Sequence, residues 1–222
     1  MDRFFLPRIH PAGWPFIGVF IAAAVVLALV SDLLGLAGAG LAAWCIYFFR
    51  DPERVPPEAP NLIVSPADGV IQAITEAAPP PELEMGEAPH PRVSIFLNIF
   101  DVHVNRVPAA GDITRVAYHP GKFFNASFDK ASEFNERMAI RMRTVLGHDL
   151  AFVQIAGLIA RRIQCDLSEG QKVGIGERFG IIRFGSRMDV YLPPGHRLMV
   201  RKGQRAVAGE TIIAEAVAGP DA

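Results

Sequence analysis

The sequence predicts a mostly β protein of the α+β class, a barrel-sandwich-like β domain preceded by an N-terminal hydrophobic helical hairpin. Three observations lead there. Two uncharged apolar runs, Trp14 to Val30 and Leu33 to Phe49, stand near the start of the chain. A proline-rich stretch, 51–60, follows them. Beyond it lie many short β-patterned runs separated by glycine and proline, the signature of a sandwich or barrel.

Each apolar run is about 17 residues long, the lower limit for spanning a bilayer. Only Ser31-Asp32 separates them, and Gly35, Gly38 and Gly40 follow that break. Neither run has a polar face, as a helix buried against a water-soluble core usually has. Arg3 and Arg8 precede the pair and Arg50 and Arg54 follow it, so both ends are expected on the cytoplasmic side of the cell membrane. A cleaved signal peptide ending near Ala37-Gly38-Ala39 would leave the second run without a purpose. A buried core hairpin is the other alternative. The expected organisation is a membrane-associated hairpin over 1–50, a linker over 51–60 and a β domain over 61–222.

Within that domain, 61–75 reads as two short strands around Asp68-Gly69. A loop with five prolines fills 77–91. Residues 92–107 form a long β-rich run and 111–118 another strand. The polar segment 123–136 reads as loop with some helix. Residues 139–143 and 149–156 pair around Gly147-His148. Short strands follow at 173–175, 180–184, 188–192, 198–200 and 211–215. The spacing V-x-x-G-x-x-x-V-x-G-E from Val200 to Glu210 is similar to the short strand pairs of biotinyl- and lipoyl-type domains, without their carrier lysine.

Net charge is −1, so nothing points to nucleic acid. The two cysteines, Cys45 and Cys165, are too few and too far apart for a disulfide framework or a zinc site, and a reducing compartment follows.

Four elements could carry chemistry. Gly185-Ser186 sits between two strand-like runs. Glycine opens backbone conformations closed to other residues and leaves its own carbonyl sterically open. A serine hydroxyl could then attack that carbonyl, although most such pairs are ordinary turns. The second element is Asp101-Val102-His103-Val104-Asn105-Arg106, in which alternation puts Asp101, His103 and Asn105 on one face. Read alone it suits a solvated edge better than a site, but His103 has the pKa range of a general base. The third is Ser65-Pro66-Ala67-Asp68-Gly69, a hairpin turn or the aspartate of a triad. The fourth is His119-Pro120-Gly121-Lys122-Phe123 with Asp129-Lys130-Ala131-Ser132 and Asn135-Glu136-Arg137, a polar patch that also reads as a solvated loop.

In this order, the SPADG, FDVHVNRVP, HPGKF, DKAS, NER and FGSRMDVYLP segments resemble the phosphatidylserine decarboxylase proenzymes, in particular the short bacterial and archaeal forms, over roughly residues 45–215. The resemblance implies that Asp68, His103 and Ser186 form a triad for self-cleavage between Gly185 and Ser186. The products would be a β chain, 1–185, and an α chain beginning at 186, held together as a heterodimer, with a higher oligomer left open. It also implies that Ser186 becomes a pyruvoyl group, the cofactor, which forms a Schiff base with phosphatidylserine in the membrane and yields phosphatidylethanolamine and carbon dioxide.

Two positions depart from the longer members of that family. Phe184-Gly185-Ser186-Arg187 stands where they carry Leu-Gly-Ser-Thr. Arg106 stands where they have a second histidine, and arginine does not release its proton at physiological pH. The proton donor of the decarboxylation is therefore open, with His103 the candidate. Lys122, Arg137 and Arg141 are candidates for the lipid phosphate, among other basic residues. The rival readings are a decarboxylase of a soluble amino acid, a membrane-anchored barrel-sandwich binding or carrier module without self-cleavage, and a metal site on Asp68, His103 and His119, whose spacing fits no compact ligand pattern.

Overall fold

The computed structural model describes residues 8–121, 135–157, 163–183 and 185–217. The chain divides into two compact units, Met1–Glu53 and Arg54–Ala222.

The first unit is a helical hairpin tied at its open end. Strand β1 (Arg8–Ile9) leads into helix α1 (Trp14–Val30) and helix α2 (Asp32–Phe48) leads into β2 (Arg50–Asp51). The two strands pair antiparallel, Arg8 opposite Asp51. Pro15 sits in the first turn of α1, where a missing N–H costs nothing. Ser31 adopts an extended conformation and ends α1, and Asp32 lies in the first turn of α2, where a negative charge suits the helix dipole. The helices approach closely because their facing residues are small. A Cβ on Gly35 would lie 2.6 Å from the Ala28 Cβ, and one on Gly38 would lie 2.8 Å from the Ala24 Cα. The outward side chains are apolar: Val19, Val25, Val26, Leu29, Val30, Leu33 and Leu36 are all exposed. The helical stretch Pro11–Val30 is long and apolar enough to cross a membrane, whereas α2 is shorter.

The second unit is built from fourteen strands among the described residues. In chain order they are β3 (Leu62–Val64), β4 (Gly69–Ala77), β5 (His90–Leu97), β6 (Val104–Arg106), β7 (Gly111–His119), β8 (Arg137–Thr144) and β9 (Asp149–Ala156). After these come β10 (Ile163–Cys165), β11 (Lys172–Val173), β12 (Arg178–Ile182), β13 (Ser186–Tyr191), β14 (His196–Leu198), β15 (Arg205–Ala206) and β16 (Ile212–Ala216). An eight-stranded antiparallel sheet runs β11-β7-β8-β9-β13-β5-β4-β15. Two three-stranded sheets, β10-β12-β6 and β14-β16-β3, complete the unit. The expected mostly β, barrel-sandwich class holds.

The core lies between the large sheet and the two small ones. Val93, Ile95, Leu97, Phe152, Met188 and Val190 from the large sheet pack with Ile63, Phe179, Ile182 and Ile213 from the small sheets. Alternation along β13 sets the two faces. Ser186, Met188 and Val190 point inward with their register partners Leu97, Ile95 and Val93 on β5 and Ala156, Gln154 and Phe152 on β9. Arg187, Asp189 and Tyr191 point outward. The outer face is covered in part by a 3-10 turn, Pro81–Leu83, whose Leu83 packs with Ala139, Ala151, Val153, Ile155 and Tyr191.

The sequence reading and the fold differ in more than one place. Residues 61–75 hold strands on either side of Asp68-Gly69 as expected, but these form no hairpin: β3 pairs with β16, and β4 with β5 and β15. The β-rich run 92–107 is broken into β5 and β6 by a turn at Asn98–Asp101. That turn is closed by its own side chains. The Asn98 N–H donates to Asp101 Oδ2 at 2.9 Å, and the Phe100 N–H donates to Asn98 Oδ1 at 2.8 Å.

Candidate active site

Ser186 is the first residue of β13, a strand flanked on both sides, and none of it is exposed. Its position between Leu97 and Ala156 gives its hydroxyl no strand partner. The Oγ has no hydrogen-bond partner among the described residues. An orphaned buried hydroxyl costs about 1–3 kcal/mol, so its presence calls for a chemical reason.

Gly185 enters the strand with φ +72°. This left-handed conformation is open to glycine and strained for other L-residues. A Cβ there would meet no atom within 4 Å, so backbone geometry rather than space requires glycine.

His103 reaches this bend from the segment before β6. The Gly185 N–H lies 3.4 Å from His103 Nε2, and His103 Nδ1 lies 2.9 Å from the Asp101 carbonyl oxygen. The two partners force one tautomer. A carbonyl only accepts, so Nδ1 carries the hydrogen; an amide N–H only donates, so Nε2 presents its lone pair. The Nε2 lone pair that accepts from the Gly185 N–H is thereby aimed at the 185–186 bend, as a general base there would need. The Asp101 carboxylate sustains that arrangement by closing the Asn98–Asp101 turn and pairing with Arg205.

The sequence alone favoured a solvated edge for Asp101, His103 and Asn105. The structure buries all three, at 4%, 0% and 0% exposure. The reason is the small sheet: β6 pairs with β12 and turns this string into the core. Asn105 Oδ1 accepts from Gln154 Nε2 at 2.9 Å, while Asn105 Nδ2 has no partner among the described residues. Gln154 was missed in the sequence; a glutamine in an apolar strand with inward register was the available signal.

Asp68 lies at the start of β4, on the other side of β5 from β13. Val70 and Arg187 both pair with Phe96, so Asp68 and Ser186 approach the same end of β5. The Asp68 carboxylate accepts from Arg54 at 2.8 and 3.1 Å and from the Ala208 N–H at 2.8 Å. The Pro66 carbonyl accepts from the Arg106 N–H at 2.9 Å, tying this turn to the strand that follows His103. Arg106 itself donates from Nη1 to the Gly176 carbonyl at 2.8 Å.

The polar patch is partly visible. Lys122 and the 129–132 string lie outside the described residues. Asn135, Glu136 and Arg137 are buried rather than solvated. Asn135 Nδ2 donates to the Ala156 carbonyl at 2.7 Å, and the Ala156 N–H donates to the Glu136 carbonyl at 2.9 Å. They brace the strand position opposite Ser186. Arg137 and Arg141, candidates for the lipid phosphate, sit on the outer face instead. Arg137 forms a fork with Glu82 at 2.7 and 3.1 Å, and Arg141 pairs with Asp149 at 2.8 Å. Burial pushes the Glu82 carboxyl up, but its bonds with Arg137 outweigh this and hold it below the usual range. No cluster of His, Cys, Asp and Glu suited to a metal occurs among the described residues.

The sequence profile described as phosphatidylserine decarboxylase matches residues 41–214 of the chain. The chain belongs to the phosphatidylserine decarboxylase family. It is 55% identical over 207 residues to a protein of Paramagnetospirillum magneticum named phosphatidylserine decarboxylase proenzyme, covering 93% of this chain and 86% of that one. Proteins of the same name from Rickettsia africae and Rickettsia felis are 59% identical, with 93% of this chain and 90% of theirs covered. These relatives' names mark them as proenzymes.

Proposed function

We propose that the chain is a phosphatidylserine decarboxylase proenzyme that cuts itself between Gly185 and Ser186 and acts on its lipid substrate at the membrane. The observation that carries this reading is the 3.4 Å approach of His103 Nε2 to the Gly185 N–H, beside a buried Ser186 Oγ without a partner. In the cut, His103 takes the Ser186 hydroxyl proton and Oγ attacks the Gly185 carbonyl carbon. The C–N bond breaks, the proton passes to the freed nitrogen, and an ester links Gly185 to Oγ. Loss of the Ser186 Cα proton then breaks the Cβ–Oγ bond and releases Gly185 as a carboxylate. Hydrolysis of the resulting dehydroalanine yields ammonia and leaves a pyruvoyl group at position 186. Asp68 supplies the negative charge that supports His103 when it is protonated, and the Pro66–Arg106 bond favours this role by fixing the Asp68 turn to the same strand.

The residues present suit such a group. The inner end of β13 is buried, with the His103 imidazole at the bend and an amide donor on Asn105 that has no partner among the described residues. When formed, the pyruvoyl group supplies an electrophilic carbonyl that takes up the substrate amine and the electrons released with carbon dioxide. The chain's own part is to exclude water through Leu97, Ala156 and Met188 and to hold a proton on His103 for delivery to the substrate carbon. The exposed apolar faces of α1 and α2 support attachment to the cell membrane, with Arg8 and Arg50 favouring the cytoplasmic side. Attachment raises the local concentration of a lipid substrate.

Intact-mass analysis of purified protein tests the reading. The expected result is two chains, 1–185 and a second beginning at 186 with a pyruvoyl-blocked terminus. Ser186→Ala and His103→Ala should each remain one chain without decarboxylase activity. A single full-length chain in active protein would refute self-cleavage, and a single inactive chain would favour a membrane-anchored binding module.

A further inference from the structure

The outward face of β13 carries a feature that the reaction itself does not use. Arg187 and Asp189 are 1% and 0% exposed. Arg187 Nε lies 2.9 Å from Asp189 Oδ1, and Arg187 Nη2 donates to Asp189 Oδ2 at 3.0 Å. Arg92 Nη1, from the neighbouring strand β5, lies 3.9 Å from the same Oδ2. Around the pair, Phe96 and Ile155 flank Arg187, and Ser94 and Val153 flank Asp189.

A β-strand slipped by one residue turns every side chain to the opposite face. Such a slip of β13 would carry Arg187 and Asp189 into the apolar core, among Val93, Ile95 and Phe152, and would turn residue 186 outward, away from His103. A slip of two residues would keep the faces and move residue 186 by about 7 Å, and in one of its two directions would take Asp189 away from Arg92. The pair lies within one strand and moves with it, so the cost of a one-residue slip is the transfer of both charges away from Arg92 into an apolar surround, which is strongly unfavourable. The need is greatest after the cut, when residue 186 becomes a chain end and the covalent tether to Gly185 is gone.

We propose that the Arg187–Asp189 pair, with Arg92 beside it, is a register lock that positions residue 186 against His103 before and after self-cleavage. This rests on residue 186 being the cut site. Arg187 and Asp189 are positioning residues: they act through the strand and touch neither substrate nor reacting atoms.

The test compares Arg187→Met/Asp189→Leu, which replaces the pair by apolar groups of similar size, with Arg187→Lys, which keeps the charge. Circular dichroism and the thermal midpoint report folding, and intact mass against time reports the cut. The double variant should fold with a midpoint at or above wild type and be cut roughly tenfold more slowly or worse. Arg187→Lys should be cut at close to the wild-type rate. A folded double variant cut at the wild-type rate overturns the lock, as does a folded Arg187→Lys that is cut as slowly as the double variant. An uncut wild type overturns the self-cleavage reading instead. If the double variant does not fold, hydrogen exchange decides. Peptides spanning 187–191 should be as protected in cut wild type as in uncut Ser186→Ala, and exchange faster by about tenfold or more in the cut chain overturns the lock.

Discussion

Strand β13 carries a polar group on each face, and the two are built on opposite principles. On the inner face Ser186, Asn105 and Gln154 are neutral, buried and incompletely bonded. Ser186 Oγ, Asn105 Nδ2 and Gln154 Oε1 have no partner among the described residues. On the outer face Arg187 and Asp189 are charged, buried and paired, with Arg187 Nη2 donating to Asp189 Oδ2. Incomplete bonding lowers stability and leaves groups ready to react. Paired charge resists rearrangement and does no chemistry. On the proposed reading, one strand separates the reactive function from the restraining one by the twofold alternation of its side chains.

The sharpest way to break this contrast is to unpair the outer face. Asp189→Asn leaves Arg187 buried without its carboxylate and should cost about 3–5 kcal/mol in urea unfolding. Gly185→Ala tests the inner face through the backbone. At φ +72° an L-residue is strained by about 1–2 kcal/mol, and time-resolved intact mass should show slower cutting. Ser186→Ala should move stability in the other direction: removing an orphaned hydroxyl should leave the uncut protein about 1 kcal/mol more stable in thermal or urea unfolding. A loss of stability there would mean that Ser186 is bonded in solution.

The smallest effect serves as a control away from both faces. Burial lowers the His196 pKa below its ordinary value, with the nearby His148 adding to this. The unfolded chain then binds a proton more readily than the folded one. Stability is intact above about pH 6.5 and falls by about 1 kcal/mol or less as the pH drops below it. His196→Gln should flatten that slope in urea unfolding at pH 7 and pH 5 without altering the cut.

How much of this was legible depended on whether the signal was local. The hairpin helices could be read because their outward residues from Trp14 to Val30 and beyond Asp32 carry no charge, and β8–β9 because Gly147-His148 marks their turn. The break between β5 and β6 was hidden, since the Asn98–Asp101 turn is made by side-chain bonds and contains neither glycine nor proline. Burial of His103 and Asn105 was also hidden, because it comes from β12, more than seventy residues along the chain. The Arg187–Asp189 pair was invisible for a related reason. Two residues of opposite charge at i and i+2 are ordinary on an exposed strand, and only a sheet covered on that face makes them unusual.

The position of the Gly185–Ser186 bond has a consequence for the history of the molecule. The segment after it supplies the middle strand β13, the edge strand β15 of the large sheet, and β14 and β16 of a small one. A cut there divides the folding information between two polypeptides that are woven through each other. The proenzyme folds as a unimolecular event, but once cut and denatured it could return only by a bimolecular encounter, at a rate that falls with dilution. Under the proposed cut, maturation at this bond would exchange a reversible fold for one maintained by slow unfolding.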